Sequence, residues 1–114
     1  MDTSPLTPDW HDVVIYGFPG PQPALLVDEP ELRVLVAGLE PGGRIPPHPE
    51  RRAVYHALDG EGFLFLDGVA LPFRAGAIVV APEGATRGIE AVTRLAFMAV
   101  RIGPEPAAEP VAEG

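Results

Sequence analysis

Histidine, tyrosine, arginine and carboxylate side chains are the residue types through which this chain could do chemistry. The sequence contains no cysteine and no lysine, which excludes thiolate catalysis, cysteine metal sites and Schiff-base catalysis. Its only serine is Ser4, close to the N-terminus, so a serine nucleophile paired with a histidine is not expected. Any reaction would therefore use the remaining polar side chains or a bound cofactor.

The candidate residues concentrate in two segments that are rich in glycine and proline. The first segment, residues 41–60, contains His48, Glu50 and His56, and the second, residues 76–88, contains Arg87. Glycine and proline favour turns and loops over helix. We expect these two segments to form the loops and strand ends of one site.

Short apolar runs divided by turn residues surround these segments and predict β-strands. The clearest signal is Asp67-Gly68 between two apolar runs, a dipeptide that fits a two-residue hairpin turn, and Pro72 places its strand at an edge or a bulge. The predicted strands are Trp10–Tyr16, Ala24–Val27, Leu32–Leu39, Ala53–Leu58, Phe63–Leu66, Val69–Phe73, Ala77–Ala81 and Val92–Ile102, with loops at 17–23 and 41–49. The pattern predicts an all-β protein, an antiparallel β-barrel or jelly roll.

Length and charge bound the organisation of the chain and its partners. The 114 residues suit one domain, with an arm at 1–8, the β-barrel at 9–102 and a disordered acidic tail rich in proline and alanine at 103–114. The net charge of −8 argues against a nucleic acid or an anionic membrane as partner. No apolar stretch is long enough to span a bilayer and no signal peptide is recognisable, so a cytoplasmic location is expected.

The sequence resembles the cupin superfamily, which consists of small β-barrels whose two signature motifs flank a hairpin. The second motif matches at Gly76, Pro82 and Gly84. The first matches at its ends, from Pro41-Gly42-Gly43 through His48 to Gly60. The resemblance covers residues 32–102 and implies a jelly-roll barrel and a homodimer in which N-terminal strands are exchanged.

The resemblance also implies a divalent metal, such as Fe, Mn, Ni, Cu or Zn, held by histidine and glutamate. His48 takes the position of the first ligand and Glu50 that of the second, whereas Arg87 stands where the last histidine is usual. In one strand register His56 joins His48 and Glu50 near the lumen, and in the other it points away. Glu50 beside two arginines also fits a solvated ion pair, and His56 also fits a packing role.

Several functions stay open at this stage. The first is the binding of a small polar or anionic molecule by Arg87, Tyr55 and Arg94, with an incomplete metal site. Alternatives are a metal-dependent oxygenase or isomerase, and a metal-free enzyme with His48 as acid or base. A purely structural role for the protein also stays open. For Arg87, the alternative to ligand binding is an exposed position in a loop.

Overall fold

The structure is a computed structural model, and it describes residues 8–104. Ten strands and one short helix make up this part of the chain. In chain order they are α1 (Trp10–Val13), β1 (Tyr16–Gly17), β2 (Ala24–Glu29), β3 (Leu32–Leu39), β4 (Arg44–Pro49), β5 (Arg52–Asp59), β6 (Glu61–Leu66), β7 (Val69–Arg74), β8 (Ile78–Ala81), β9 (Thr86–Ala91) and β10 (Leu95–Ile102). The prediction of an all-β fold is therefore confirmed.

The strands form two sheets that are built from nested antiparallel pairs. The larger sheet has the order β1-β3-β10-β5-β8, with β2 also paired to β3, and the smaller sheet has the order β4-β9-β6-β7. The pairs β3/β10, β4/β9, β5/β8 and β6/β7 alternate between the two sheets, each pair enclosed in sequence by the one before it. This arrangement is a jelly roll, in which one long hairpin is wrapped into two facing sheets.

The core lies between the two sheets and follows the alternation of side chains along each strand. On β5 the small or aromatic residues Ala53, Tyr55 and Ala57 are buried, while the intervening residues lie on the other face. Leu64 on β6 and Phe73 on β7 fill the core from the smaller sheet and are fully buried. The strand periodicity thus determines which polar side chains can reach the interior.

The Asp67-Gly68 hairpin is present as predicted. Both residues have positive φ, 48° at Asp67 and 84° at Gly68, as a two-residue turn with two left-handed positions requires. The turn joins β6 to β7, and β7 is the edge strand of the smaller sheet. Pro72 therefore lies in an edge strand, as its missing N–H donor predicted.

The strand predicted at Trp10–Tyr16 is wrong except at Tyr16, and the loop predicted at 41–49 is wrong from residue 44 onward. Asp9 accepts a hydrogen bond from the His11 amide and caps a one-turn helix, so local capping overrides the β-branched residues that follow. In the second case, Arg44–Pro49 is strand β4 despite its prolines. It pairs with β9 through an irregular register between Ile45 and His48, which accommodates residues that lack an N–H donor.

Two earlier predictions concern the ends of the chain. The arm at 1–8 and the disordered tail at 103–114 lie almost entirely outside the described residues. Within residues 8–104, no helix has the length and apolar character needed to cross a bilayer.

Candidate functional site

A cavity of about 120 Å³ lies between the sheets, where strands of both sheets meet the β1–β2 loop. Its wall is mainly apolar, and a smaller polar part is supplied by four side chains. The apolar residues are Leu35, Ala37, Ile45, Ile89, Phe97 and Ala99, with Pro21 and Pro23 from the loop. The polar side chains are His48, Tyr55, Arg87 and Arg101.

Arg87 is a buried residue of β9, with 1% of its surface exposed. Its Nε donates to the carbonyl oxygen of Ala85 at 2.9 Å. Nη1 donates to the Arg51 carbonyl oxygen at 2.9 Å and lies 3.4 Å from the Tyr55 hydroxyl. Nη2 donates to the carbonyl oxygens of Glu50 and Pro82, at 3.2 and 2.8 Å. The interpretation of Arg87 as an exposed loop arginine is therefore wrong.

This set of contacts uses all five N–H donors of the Arg87 guanidinium. The acceptors belong to the β4–β5 connection, to the β8–β9 connection and to Tyr55 on β5. The guanidinium thus crosslinks the two segments that the sequence singled out. An anion could bind to Arg87 only by displacing one of these acceptors.

His48 lies on β4 directly opposite Arg87 in the β4–β9 pairing and lines the cavity. Its Nδ1 is 3.1 Å from the carbonyl oxygen of Pro46. A carbonyl can only accept, so Nδ1 carries the hydrogen and Nε2 of the neutral ring carries the lone pair. His48 can therefore accept a hydrogen bond through Nε2.

Glu50 follows β4 and takes part in local ion pairing. Its Oε1 accepts from the Arg51 amide at 2.9 Å, and its Oε2 is 3.4 Å from Nη1 of Arg101. The carboxylate is largely buried, so the pair with Arg101 is less screened than a surface ion pair. The ion-pair interpretation of Glu50 thus fits the structure: its partners are the neighbouring Arg51, whose Nε is 3.9 Å from Oε1, and Arg101. The carboxylate is not solvated as expected, because it is largely buried.

His56 points away from the cavity. On β5 the interior positions are Ala53, Tyr55 and Ala57, and His56 pairs with Met98 and Ile78 on the opposite face of the sheet. The register that would bring His56 to the lumen is wrong, because a strand alternates its side chains between two faces.

These positions do not fit the metal centre that the resemblance implied. Within residues 8–104, no group of three or more histidine, aspartate or glutamate side chains is close enough to hold an ion. His48, Glu50 and His56 are therefore not a ligand set: His56 lies on another face and Glu50 pairs with Arg101. Arg87 adds a fixed positive charge, which opposes a nearby divalent cation.

The two remaining predicted ligand-binding residues lie in different places. Tyr55 is buried and lines the cavity, whereas Arg94 does not. Arg94 donates to the Glu40 carboxylate through Nε and Nη2, at 3.2 and 3.0 Å. These hydrogen bonds raise the pKa of the Arg94 guanidinium. The guanidinium also lies over the ring of Tyr16. Burial raises the pKa of the Tyr16 phenol, and the Asp59 carboxylate adds to this effect.

Arg101, on β10, is a cavity residue that the sequence interpretation did not single out. Its Nε is buried and has no hydrogen-bond partner among residues 8–104. The alternation of Leu95, Phe97 and Ala99 as interior residues would have placed Arg101 on the same face. An arginine at an interior position of an apolar strand was therefore the available signal.

Solved structures with the same architecture resemble the chain over nearly its whole length. A protein with a double-stranded β-helix domain from Klebsiella pneumoniae has a TM-score of 0.78 at 19% identity, covering 89% of this chain and 92% of that one. An RmlC-like cupin protein from Desulfovibrio desulfuricans has a TM-score of 0.72 at 23% identity, covering 90% and 96%. This chain has the cupin fold.

The cupin fold is shared with proteins of different size and activity. Salicylate 1,2-dioxygenase from Pseudoaminobacter salicylatoxidans matches with a TM-score of 0.68 and 19% identity, covering 76% of this chain and 28% of that one. No protein-family model and no curated protein matches the sequence. Since one scaffold hosts many functions, the function has to be argued from the residues of the cavity.

Proposed function

We propose that this cupin-fold protein binds a small molecule that has an apolar body and one anionic group, such as a carboxylate. The observation that carries the proposal is the Arg101 Nε–H, a buried donor on a cavity residue with no acceptor among residues 8–104. An unsatisfied buried donor is costly, and hydrogen bonding to a charged acceptor offsets that cost.

The charges of the cavity support an anion rather than a cation. Arg87 and Arg101 both line the cavity, whereas no aspartate or glutamate of the described residues does. The Arg101 charge is paired with the Glu50 carboxylate, so Arg87, whose hydrogen bonds go to carbonyl oxygens and the Tyr55 hydroxyl, supplies the excess positive charge at the cavity. Arg87 contributes its field while its donors stay on the carbonyl oxygens, and Arg101 supplies the hydrogen bond.

The size and apolar wall of the cavity restrict the body of the ligand. An engineered apolar cavity of about 150 Å³ holds a benzene molecule. A cavity of about 120 Å³ therefore suits a ring or short chain of roughly six non-hydrogen atoms. His48 Nε2 and the Tyr55 hydroxyl supply two further polar contacts at the wall. The alternative of a metal-free enzyme, in which His48 acts as the acid or base, remains a prediction. The position of His48 at the cavity wall is compatible with it.

The experiment is a binding titration by calorimetry with benzoate and hexanoate as probes and neutral benzamide as the uncharged comparison. We expect the carboxylates to bind at least tenfold more tightly than benzamide, because a hydrogen bond to a charged group contributes about 1.5–3 kcal/mol. The variant Arg101→Met should lose this preference. Arg101→Lys, which keeps the charge but lacks the Nε–H, should recover only part of it.

The matched control is Arg94→Met, which removes an exposed arginine outside the cavity and should leave binding unchanged. Circular dichroism of each variant checks that the fold is retained. Equal affinity for benzoate and benzamide, or carboxylate binding that Arg101→Met leaves intact, contradicts the proposal.

A further inference from the structure

The polar side chains of the cavity lie close together at one end of it. Arg87 pairs with His48 across β4 and β9 and donates to the Tyr55 hydroxyl. Arg101 on β10 lies opposite Ala53 on β5, two residues from Tyr55, so the Arg101 and Tyr55 side chains are diagonal neighbours on the inner face of the sheet. A single ligand at this end can therefore contact His48, Tyr55 and Arg101.

Two hydrogen-bond donors at this end have no acceptor among residues 8–104. One is the Nε–H of Arg101, which is buried. The other is the O–H of Tyr55. The contact of 3.4 Å between Arg87 Nη1 and the Tyr55 oxygen uses that oxygen as the acceptor, because a guanidinium can only donate. The two donors match the two oxygens of one carboxylate.

His48 contributes an acceptor to this end of the cavity and not a third donor. Its Nδ1–H donates to the Pro46 carbonyl oxygen at 3.1 Å, so the lone pair is on Nε2, and no donor among residues 8–104 reaches it. An ionised carboxylate has no hydrogen to donate and cannot satisfy this lone pair. A ligand that uses all three side chains must therefore carry a hydrogen-bond donor in addition to its carboxylate.

The charges around the cavity select the kind of donor. An ammonium group would lie close to the Arg87 guanidinium and would lose its hydration in a mainly apolar cavity, and both effects are unfavourable. No aspartate or glutamate of the described residues lines the cavity, and the Glu50 carboxylate is already paired with Arg101. A hydroxyl group can donate to His48 without adding a positive charge.

We infer that the ligand is a short-chain hydroxy acid, whose carboxylate accepts from Arg101 and Tyr55 and whose hydroxyl group donates to Nε2 of His48. This inference rests on the proposed function and narrows it, from any small carboxylate to one that also carries a neutral donor. The hydrocarbon part of the acid contacts the apolar wall. A cavity of about 120 Å³ suits an acid of roughly six non-hydrogen atoms.

Two sets of isosteric acids test the hydroxyl group directly. Both enantiomers of lactate are compared with isobutyrate and alanine, which carry a methyl or an ammonium group where lactate has its hydroxyl group. The set of 3-hydroxypropionate, butyrate and β-alanine repeats the comparison with the group one carbon further from the carboxylate. Titrations monitored by NMR chemical shifts suit a chain of 12.1 kDa and measure weak binding.

The expected order of affinity is hydroxy acid, methyl isostere, amino acid. In at least one set the hydroxy acid should bind about three- to tenfold more tightly than its methyl isostere, because a hydrogen bond between neutral groups gives a gain of this order. The amino acid should bind about tenfold or more weakly than the hydroxy acid, because its ammonium group is repelled by the Arg87 charge.

Two substitutions separate the acceptor from the donor. His48→Phe removes the acceptor and keeps an aromatic ring, so it should abolish the preference for the hydroxy acid over its methyl isostere. Tyr55→Phe should weaken the binding of both acids and leave the preference in place. The matched control is His56→Phe, the same substitution at a histidine that points away from the cavity, which should change neither affinity. Circular dichroism checks that each variant folds.

A further probe, isobutyramide, separates this inference from the proposed function. If isobutyrate binds more tightly than isobutyramide but no hydroxy acid exceeds its methyl isostere, the carboxylate site stands and the hydroxy-acid inference is overturned. If isobutyrate and isobutyramide bind equally, the proposed function fails and the inference fails with it. A preference for the hydroxy acid that His48→Phe leaves intact would also overturn the inference.

Discussion

At the scale of single residues, Arg87 is the side chain on which the geometry of the site depends. Its guanidinium holds the carbonyl oxygens of Glu50 and Arg51 against those of Pro82 and Ala85. A direct backbone hydrogen bond from Gly84 to Glu50, at 2.9 Å, joins the same two connections. Arg87 therefore adds a side-chain crosslink to the backbone pairing of the two glycine- and proline-rich segments, at the position where the cupin resemblance implied a metal ligand.

Arg87→Met should destabilise the protein strongly. The substitution leaves several buried acceptors without a donor, and each such group costs about 1–3 kcal/mol, so we expect a loss of about 3 kcal/mol or more in the free energy of unfolding. Arg87→Lys should recover part of this loss, because lysine supplies three donors. Urea unfolding measures the effect, and the substitution Arg94→Met at an exposed position is the control. If Arg87→Met lowers the free energy of unfolding by less than about 1 kcal/mol, the hydrogen bonds of Arg87 are not needed for stability.

The residue scale also explains which part of the site the sequence predicted. His48, Tyr55 and Arg87 were singled out and all three line the cavity. Their contacts were beyond prediction, because a side chain that donates to five acceptors from two distant segments depends on the tertiary structure. The alternation along β10 would have placed Arg101 on the inward face, but its pairing with Glu50 depends on the tertiary structure and could not be predicted from the sequence.

At the scale of elements, turns with positive φ define where the strands begin and end. Gly60, between β5 and β6, has a φ of 89°, and Gly68, in the β6–β7 hairpin, has a φ of 84°. The two sites differ in their surroundings. A Cβ at Gly60 would overlap the Arg94 carbonyl group, whereas a Cβ at Gly68 would meet nothing within 4 Å.

The substitutions Gly60→Ala and Gly68→Ala therefore form a matched pair. Gly68→Ala should cost about 1 kcal/mol, the conformational penalty of a left-handed alanine. Gly60→Ala should cost several times more, because the backbone of β10 must also shift. Denaturant unfolding of both variants measures the difference. Equal losses would show that the close approach of the two backbones at Gly60 is readily relieved.

The elements were predictable where local signals agreed and not where they competed. The hairpin at Asp67-Gly68 and the alternation of Ala53, Tyr55 and Ala57 are strong short-range patterns, and the structure follows them. The helix at Trp10–Val13 depends on one capping aspartate that outweighs a β-favouring composition. Strand β4 forms among prolines because β9 offers it a partner, which is a long-range effect.

At the scale of the whole molecule, the absence of a ligand cluster among residues 8–104 leads to a prediction about metals. A metal that binds only the folded state raises its stability in proportion to the logarithm of the metal concentration. We expect the midpoint of thermal unfolding to be the same in EDTA and in excess Mn²⁺ or Zn²⁺. Benzoate serves as the positive control in the same assay. A metal-dependent rise of the midpoint would contradict the assignment of Arg87 as the crosslink in place of a metal.

The Arg87 crosslink differs from a metal ion in that it does not depend on the supply of an external component. A coordinated ion can be withdrawn by a chelator, exchanged for a competing metal or lost when trace elements are scarce. A guanidinium is covalently part of the chain and cannot be removed in this way. The two connections should therefore remain joined whatever the supply of transition metals, and the cavity that they border would be ready for its ligand as soon as the chain has folded.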